Sequence, residues 1–212
     1  MGRVNTTAIA FIGFGEVGQR FARDLVKLDH VTLSAYDIAF GSSGRGDHLA
    51  AAAKAHGVKA YLTARDAGAN ADIVISAVTA DQTAIVAKQA AEWLRPGQIF
   101  VDVNSASPMT KRRAAECVAT AGAAYIEAAV MAPVLVLGIR VPILAGGPAA
   151  TTTSERLNAL GMNLTPVATE YGRASAIKLC RSIVIKGLET LMVECSAATK
   201  HFEVETEVYG SL

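Results

Sequence analysis

Hydrophobic and polar positions alternate along the chain between short apolar runs and longer amphipathic stretches. The apolar runs predict strands over residues 8–13, 31–36, 59–61, 72–77, 98–103, 123–127 and 141–145. The amphipathic stretches predict helices over residues 17–28, 47–56, 81–93, 108–121 and 153–160. Runs as apolar as 73–75 and 99–101 require cover on both faces of a sheet. The pattern therefore predicts an α/β fold with a doubly wound, mostly parallel sheet.

The pattern changes near Tyr171, after which a single helical periodicity continues to about Lys200. Such a helix is longer than is typical of globular proteins. Its apolar positions recur at intervals of three, four or seven residues and form one stripe, which comprises Ile177, Val184, Leu188, Leu191, Cys195 and Ala198. An apolar stripe has to be buried against something. The twelve residues after Lys200 are too few to cover it, so we expect a missing cap, a partner chain or both, with a homodimer formed through this helix.

Composition narrows the classes of function. Hydrophobic residues make up 51% of the 212 residues and charged residues 18%, which indicates a sizeable core. The formal net charge of +1 argues against a nucleic-acid-binding protein. No apolar run reaches the roughly 18 residues of a membrane span, and the N-terminal sequence lacks an export signal. We therefore expect a cytoplasmic protein without a membrane partner.

Cysteine and histidine spacing is not typical of a disulfide framework or a metal site. Cys117, Cys180 and Cys195 are odd in number and lack C-x-x-C spacing, which fits reduced thiols. The histidines share no spacing with cysteines or carboxylates that would indicate zinc. No metal site is expected.

The clearest chemical signal is the run Gly13-Phe14-Gly15-Glu16-Val17-Gly18, a G-x-G-x-x-G motif that follows an apolar run and opens a helix. In such a motif the first glycine permits a tight turn, the second lets the backbone approach a pyrophosphate, and the third lets helix and strand pack closely. The N–H groups at the helix N-terminus are donors for the anion. The motif predicts a Rossmann-type dinucleotide site, and a glycine turn without a ligand is the alternative.

Asp37 ends the second apolar run, 19 residues after Gly18. An acidic residue at this distance accepts hydrogen bonds from the adenosine ribose hydroxyls. Its charge would repel the 2′-phosphate of NADP, although Arg45 in the following loop could partly offset the repulsion. The expected cofactor is NAD or NADP, with NAD favoured by Asp37. An ordinary turn residue is the alternative reading of Asp37.

Four segments resemble the β-hydroxyacid dehydrogenases, the family that contains 3-hydroxyisobutyrate and 6-phosphogluconate dehydrogenases. Residues 9–18 resemble the start of these proteins, and Val78-Thr79 resembles their cofactor-lining turn. Residues 102–108 are similar to their D-x-S-T-x-S-P substrate segment. Residues 172–181 are similar to their G-x-G-x-x-x-K-x-x-N segment, which puts the catalytic lysine of the family at Lys178. The resemblance spans about residues 8–200, with the motifs in the family order.

The chain departs from the family pattern at three places. Asn104 stands where the family has a substrate-binding serine, and residues 130–133 read Val-Met-Ala-Pro in place of V-S-G-G. Arg181 stands in place of the asparagine that follows the lysine, as in a less characterised branch, and its planar fork suits a carboxylate or phosphate. The resemblance thus implies substrate contacts at Asn104, Ser105, Met131, Ala132 and Arg181, and leaves the substrate open.

Elementary chemistry agrees with a role for Lys178. Oxidation of an alcohol carbon needs a group that takes the hydroxyl proton, and a lysine can do so where burial and a nicotinamide cation lower its pKa. Lys178 lies between Ile177 and Leu179 on an apolar helical face. A solvated lysine is the alternative. The run Lys111-Arg112-Arg113 is expected to form only a solvated helical face.

Asn104 and Ser105 follow a predicted strand at the carboxyl end of the sheet, where open α/β folds bind ligands. Their amide and hydroxyl could hold the substrate and orient it. Helix capping in this segment is assigned to a different residue, because Ser107 precedes Pro108 in the order typical of a helix start.

These observations predict an NAD(P)-dependent oxidoreductase that acts on the CH–OH group of a hydroxy acid by hydride transfer, with Lys178 as general acid and base. Residues 1–169 are expected to form the dinucleotide-binding domain, and residues 170–212 a long helix and short tail. The helical domain that follows in the family is expected to be absent or truncated. The alternative is a non-catalytic NAD(P)-binding module or a truncated dehydrogenase without turnover. A Rossmann methyltransferase would explain the glycines but neither the 102–108 nor the 172–181 segment.

Overall fold

A computed structural model describes residues 6–212, and in this range eight strands form one sheet. The strands are β1 (Thr7–Ile12), β2 (Val31–Tyr36), β3 (Lys59–Tyr61), β4 (Ile73–Ser76), β5 (Ile99–Asp102), β6 (Ala124–Val130), β7 (Pro142–Gly146) and β8 (Asn163–Ala168). The helices are α1 (Glu16–Leu25), α2 (Arg45–Ala55), α3 (Ala64–Gly68), α4 (Thr83–Ala91), α5 (Pro108–Ala119), α6 (Val134–Leu137), α7 (Ala150–Asn158), α8 (Arg173–Phe202) and α9 (Glu205–Ser211). The predicted Rossmann-type, mostly parallel sheet with a long C-terminal helix is confirmed.

The strand order is β3-β2-β1-β4-β5-β6-β7-β8, and β1 to β6 run parallel to one another. The chain leaves β1 toward β2 and β3 on one side and returns to β4, β5 and β6 on the other. A crevice forms at the carboxyl ends of the strands where the order reverses, which here is between β1 and β4. The turns after β1, β4, β5 and β6 therefore meet at one edge of the sheet.

The core lies on both faces of the sheet, because successive side chains of a strand point to opposite faces. One face buries Phe11 and Ile75 with the helical residues Phe21 and Leu25. The opposite face buries Val74, Phe100 and Tyr125 with alanines of α4 and α5, among others. Strands covered on both faces account for the continuous apolar runs of the sequence.

The last strand, β8, is absent from the predicted elements. Pro166 interrupts its sequence, and a proline is a poor marker of a strand because it cannot donate to a ladder. The structure accommodates it because β8 is the edge strand, paired only with β7. β7 itself pairs antiparallel with β6, so the two final strands run opposite to the others.

Residues from Arg173 to Phe202 form the predicted long helix, α8. The chain divides into two compact units, one up to Ala176 and one from Ile177 to Leu212. In the second unit the predicted apolar stripe is accessible: Leu188 is 56% and Leu191 61% exposed. In the described part of the chain, no helix is both long and apolar enough to cross a membrane.

Candidate cofactor and substrate site

The glycine-rich turn after β1 has the geometry that the motif predicts. Gly13 has a φ of +93°, and a Cβ there would collide with the carbonyl oxygen of Ala77 in the turn after β4. A Cβ at Gly18 would lie 2.5 Å from the carbonyl oxygen of Gly13. At Gly15, by contrast, a Cβ would meet no atom within 4 Å. Two glycines are therefore required by packing, and the third borders open space.

That open space lies at the N-terminus of α1. Gly15 is the residue before the helix, and no side-chain hydrogen bond caps this end. The first N–H groups of a helix have no partner within it and carry a partial positive charge. Glu16 and Val17 begin the helix beside the open face of Gly15. The turn thus offers backbone donors and space to an anion such as a pyrophosphate.

Phe14 supports the turn from within the core. Its ring is fully buried and packs at 6.1 Å between centroids from Phe40. Its N–H donates to Asp37 Oδ2 at 2.8 Å, and its carbonyl accepts from Gln19 Nε2 at 3.0 Å. Both backbone groups of Phe14 are therefore already bonded within the protein.

Asp37, which the sequence assigns to the ribose, also bonds to the backbone. Its Oδ2 holds Phe14, and its Oδ1 accepts from the N–H of Ala39 at 3.0 Å. Asp37 is 8% exposed. Each carboxylate oxygen can accept a second hydrogen bond, so Asp37 retains capacity for a hydroxyl while it connects the glycine-rich turn to the loop after β2.

The turns after β4 and β5 are joined by Asn104. Its Oδ1 accepts from the N–H of Val78 at 2.7 Å, and its Nδ2 donates to Ser76 Oγ at 3.0 Å. Asn104 is 5% exposed. Thr79 and Ser105, next along the two turns, are exposed. The predicted cofactor turn and substrate segment are therefore neighbours, and Asn104 connects them.

The segment after β6 carries Met131 and Ala132, both of them half-buried. It continues into α6 and the turn after it, and this stretch is bonded to α1 at two points. Arg20 Nε donates to the carbonyl oxygen of Leu135 at 3.2 Å, and the N–H of Ile139 donates to Asp24 Oδ2 at 3.1 Å. The 131–139 segment is thus fixed against the helix that begins at the glycine-rich turn.

The pKa of Asp24 reflects this attachment. Burial opposes the ionised form, but hydrogen bonds from Arg20 and Ile139, together with the charges of Arg20 and Lys27, outweigh burial and lower the pKa. Asp24 therefore remains a charged acceptor.

Lys178 and Arg181 lie on α8 within the second unit. Lys178 is half-buried and Arg181 is exposed. Residues three apart on a helix share a face, so the two cationic side chains lie on the same side of α8.

A buried charge cluster beneath the substrate segment was not predicted from the sequence. Lys111 is 1% exposed, and its Nζ lies 2.8 Å from Asp102 Oδ1. Tyr125 donates its hydroxyl to Asp102 Oδ2 at 2.5 Å. Glu127 is fully buried and accepts two N–H groups at the start of α8, from Gly172 at 2.5 Å and Ser175 at 2.6 Å. These groups join β5, β6, α5 and the first turn of α8.

The prediction of a solvated face at residues 111–113 is therefore wrong for Lys111. Arg112 and Arg113 are exposed. Lys111 instead shares the buried face of α5 with Ala114, Ala115 and Val118. This spacing of three, four and seven residues is the one signal in the sequence that marks Lys111 as buried.

Burial of the cluster shifts two pKa values. Burial lowers the pKa of Lys111, against the opposing effects of Asp102 and Glu127. Burial, reinforced by Asp102, raises the pKa of Tyr125 well above its usual value. Among residues 6–212, no group of three or more histidine, cysteine or acidic side chains is arranged to hold a metal ion.

Comparison with known proteins identifies the family. Residues 8–106 match the family model described as NADP oxidoreductase coenzyme F420-dependent. An uncharacterised 28.5 kDa protein of Methanothermus fervidus is 30% identical over 192 residues, which cover 88% of this chain and 68% of that protein. A conserved protein of unknown function, whose structure is described as similar to 3-hydroxyacid dehydrogenases, is 32% identical with a TM-score of 0.77, covering 95% of this chain and 73% of that one. The chain belongs to the same family as these two proteins, one of which resembles the 3-hydroxyacid dehydrogenases in structure.

The similar proteins include one with a stated activity. The mitochondrial 3-hydroxyisobutyrate dehydrogenase of Drosophila melanogaster is 27% identical over 182 residues, which cover 84% of this chain but only 53% of that enzyme. A conserved hypothetical protein of Sinorhizobium meliloti has a structure with a TM-score of 0.83 and 40% identity, covering 97% of this chain and 69% of that one. The chain therefore carries an NAD(P)-binding oxidoreductase fold related to the 3-hydroxyacid dehydrogenases.

Proposed function

We propose that this protein is an NAD(P)-dependent oxidoreductase that oxidises the CH–OH group of a hydroxy acid, or reduces the matching oxo acid. The observation that carries the proposal is the open face of Gly15 at the uncapped N-terminus of α1. It lies at the sheet edge that also holds the turns after β4, β5 and β6. A dinucleotide and a small substrate bind at such an edge in open α/β folds.

The residues present fit a dinucleotide. Gly13 and Gly18 leave no room for a side chain, whereas Gly15 leaves room for a ligand. The N–H groups at the start of α1 would hold the pyrophosphate, and Val78 with Thr79 would border the nicotinamide. When bound, the nicotinamide ring accepts or donates a hydride.

The choice between NAD and NADP centres on Asp37. Its carboxylate lies at the end of β2, where it would accept the ribose hydroxyls with its remaining lone pairs and repel a 2′-phosphate. We therefore propose a preference for NAD. The match to an NADP oxidoreductase family model favours the opposite choice, so both cofactors belong in the assay. Asp37→Asn is expected to reduce the preference for NADH.

We assign the proton to Lys178 and the substrate anion to Arg181. A lysine near the reacting carbon can take the hydroxyl proton during oxidation and return it during reduction. Arg181 lies on the same face of α8, and its guanidinium forms two parallel hydrogen bonds with a carboxylate. Both roles rest on the family resemblance and on the shared helical face.

We assign substrate contacts to Ser105, Met131 and Ala132. Asn104, which is buried next to Ser105, is assigned to the same site. Ser105 is exposed beside Asn104 and can offer its hydroxyl to the substrate. The amide of Asn104 retains one N–H and one lone pair beyond its bonds to Val78 and Ser76. Met131 and Ala132 present apolar surface where the family pattern has serine and glycine, which favours a substrate with an apolar group.

The test is turnover of a panel of hydroxy acids and oxo acids with each cofactor, for the native protein, Lys178→Ala and Lys186→Ala. Lys186 lies two turns further along α8 and is exposed, so it is a matched control. General acid–base catalysis contributes about 10²–10⁴-fold. Lys178→Ala should lower kcat by about that factor with little change in cofactor Kd, and Lys186→Ala should leave both unchanged.

Equal turnover of the native protein and Lys178→Ala would overturn the assignment of Lys178. Cofactor binding by the native protein without turnover of any substrate in the panel would favour the alternative of a binding module.

We also propose that the protein forms a homodimer through α8. The exposed members of the apolar stripe on α8, such as Val184, Leu188 and Leu191, support this proposal because stripes of this kind are normally buried. Sedimentation of the native protein and of Leu188→Glu tests it. A dimer that dissociates in the variant is expected, and a native monomer would contradict the proposal.

A further inference from the structure

Two buried carboxylates face each other across neighbouring strands. Asp102 on β5 and Glu127 on β6 are register partners, and both are fully buried. Like charges directly opposite each other on paired strands are unfavourable, and buried carboxylates need a partner. Glu127 finds its partners in the N–H groups of Gly172 and Ser175. Asp102 depends on a cation.

Lys111 supplies that cation from α5. Its Nζ donates to the Asp102 carboxylate at 2.8 Å and to the main-chain oxygen of the same residue at 3.0 Å. Two bonds to one residue fix both the side chain and the backbone at the end of β5. Tyr125 donates to the second carboxylate oxygen. Both carboxylate oxygens of Asp102 are therefore held by donors.

From Asp102 the hydrogen bonds continue to the turn after β4. Asp102 Oδ1 accepts from the N–H of Asn104 at 3.0 Å. Asn104 in turn holds the N–H of Val78 at 2.7 Å and Ser76 Oγ at 3.0 Å. Asn104 and Val78 belong to turns at the carboxyl edge of the sheet, and Ser76 and Asp102 are the last residues of the strands that lead into those turns. Lys111 is closed off from solvent.

We propose that Lys111 is a positioning residue, which holds the turn at residues 76–79 in place through Asp102 and Asn104. Its significance for the cofactor rests on the proposed function, because Val78 and Thr79 are the residues assigned to the nicotinamide. An apolar side chain at position 111 would fill the same space but would leave the Asp102 carboxylate without its cation. The carboxylate would then have to move toward another donor, and Asn104 would lose its fixed partner.

Hydrogen–deuterium exchange tests the inference without a ligand. The variants are Lys111→Met, the double variant Asp102→Asn with Lys111→Met, and the control Arg113→Met. Arg113 lies on the exposed face of the same helix. Removal of one partner of a buried ion pair is far more damaging than removal of both. In the double variant the Oδ1 of an asparagine at position 102 can still accept from the N–H of Asn104, and its NH₂ group can donate to the hydroxyl oxygen of Tyr125, so that no unpaired charge remains.

Exchange of the Val78 amide is expected to accelerate at least about tenfold in Lys111→Met, relative to amides of β2 in the same sample. In the double variant the exchange rate of the Val78 amide should return to within about threefold of the native rate. In Arg113→Met it should equal the native rate. If Lys111→Met does not fold, the single variant Asp102→Asn replaces it. That variant leaves the ammonium of Lys111 without its carboxylate and should accelerate exchange of the Val78 amide. An unchanged Val78 rate in every variant that removes one partner would overturn the inference.

A second arm separates this inference from the proposed function. The Kd for NADH and NADPH is measured for the same variants, and Lys111→Met should weaken binding in parallel with the exchange at Val78, with recovery in the double variant. If the exchange pattern is as expected but the native protein binds neither cofactor, the positioning role stands and the proposed function fails. If the native protein binds cofactor but exchange at Val78 does not respond to the loss of Lys111, the proposed function stands and the positioning role fails.

Discussion

Gly15→Ala is expected to separate cofactor binding from stability. The φ of Gly15 is −73°, which an alanine adopts without strain, and a Cβ there meets no atom within 4 Å. A glycine replaced by alanine at a compatible position stabilises a protein by about 0.4–1 kcal/mol through the unfolded chain. The variant should therefore fold at least as well as the native protein, which urea unfolding measures.

The same methyl group occupies the space that a pyrophosphate needs. A phosphate held away from the backbone loses at least one charge-assisted hydrogen bond, which is worth about 1.5–3 kcal/mol. At 1.4 kcal/mol per tenfold change, Kd should rise about 10- to 150-fold. Titration followed by nicotinamide fluorescence measures it, with NADH and NADPH each tested against the native protein and the variant.

Gly13→Ala is the contrasting variant. The φ of +93° and the clash with Ala77 strain any side chain there, so this variant should lose stability as well as binding. If the Gly15→Ala protein binds cofactor as tightly as the native protein, the open face of Gly15 is not the phosphate site.

Two predictions concern the buried cluster. Glu127→Gln should lower the free energy of unfolding by about 2–4 kcal/mol, because the NH₂ group of the glutamine replaces a carboxylate oxygen that accepts from the N–H of Gly172 or Ser175. Urea unfolding measures the change. The control is Glu116→Gln at an exposed position, which should change the free energy of unfolding by less than about 0.5 kcal/mol. Equal effects of the two variants would contradict the capping role. The second prediction concerns Tyr125, whose raised pKa keeps its hydroxyl protonated in the folded protein above pH 10. The unfolded chain loses that proton near pH 10, so the folded state binds more protons than the unfolded state. The free energy of unfolding therefore falls as pH rises, by up to about 1.4 kcal/mol per pH unit. Tyr125→Phe should remove that part of the slope between pH 10 and 11, and parallel slopes for the two proteins would contradict it.

The fold was predictable because its signals are local. Apolar runs of three to six residues alternate with amphipathic stretches. The glycine motif comes directly after the first run, so the sheet and the start of α1 follow from short-range patterns. β8 was missed because Pro166 masks a strand whose edge position is decided only by the complete sheet order. The division of the sheet into parallel and antiparallel parts likewise depends on long-range pairing.

The parts of the candidate site that belong to a sequence motif are predictable. The parts that depend on contacts between side chains from distant segments are not. Asn104 was identified from its position after a strand, but its bonds to Val78 and Ser76 depend on how two distant turns meet. Lys111 stands in a run of three basic residues, which favours a solvated face. Its ion pair with Asp102 arises because α5 directs that side chain under the end of β5.

Locating the cofactor on the native protein is the most direct test of the proposed site. Nitrogen–proton correlation spectra recorded during titration with NADH, and separately with NADPH, report each backbone amide. We expect saturable shifts that are largest at Gly15, Glu16 and Val17, with further shifts at Val78 and Thr79. Saturable binding that shifts other amides and leaves the start of α1 unchanged, or no binding of either cofactor, would rule out a cofactor site at the glycine-rich turn.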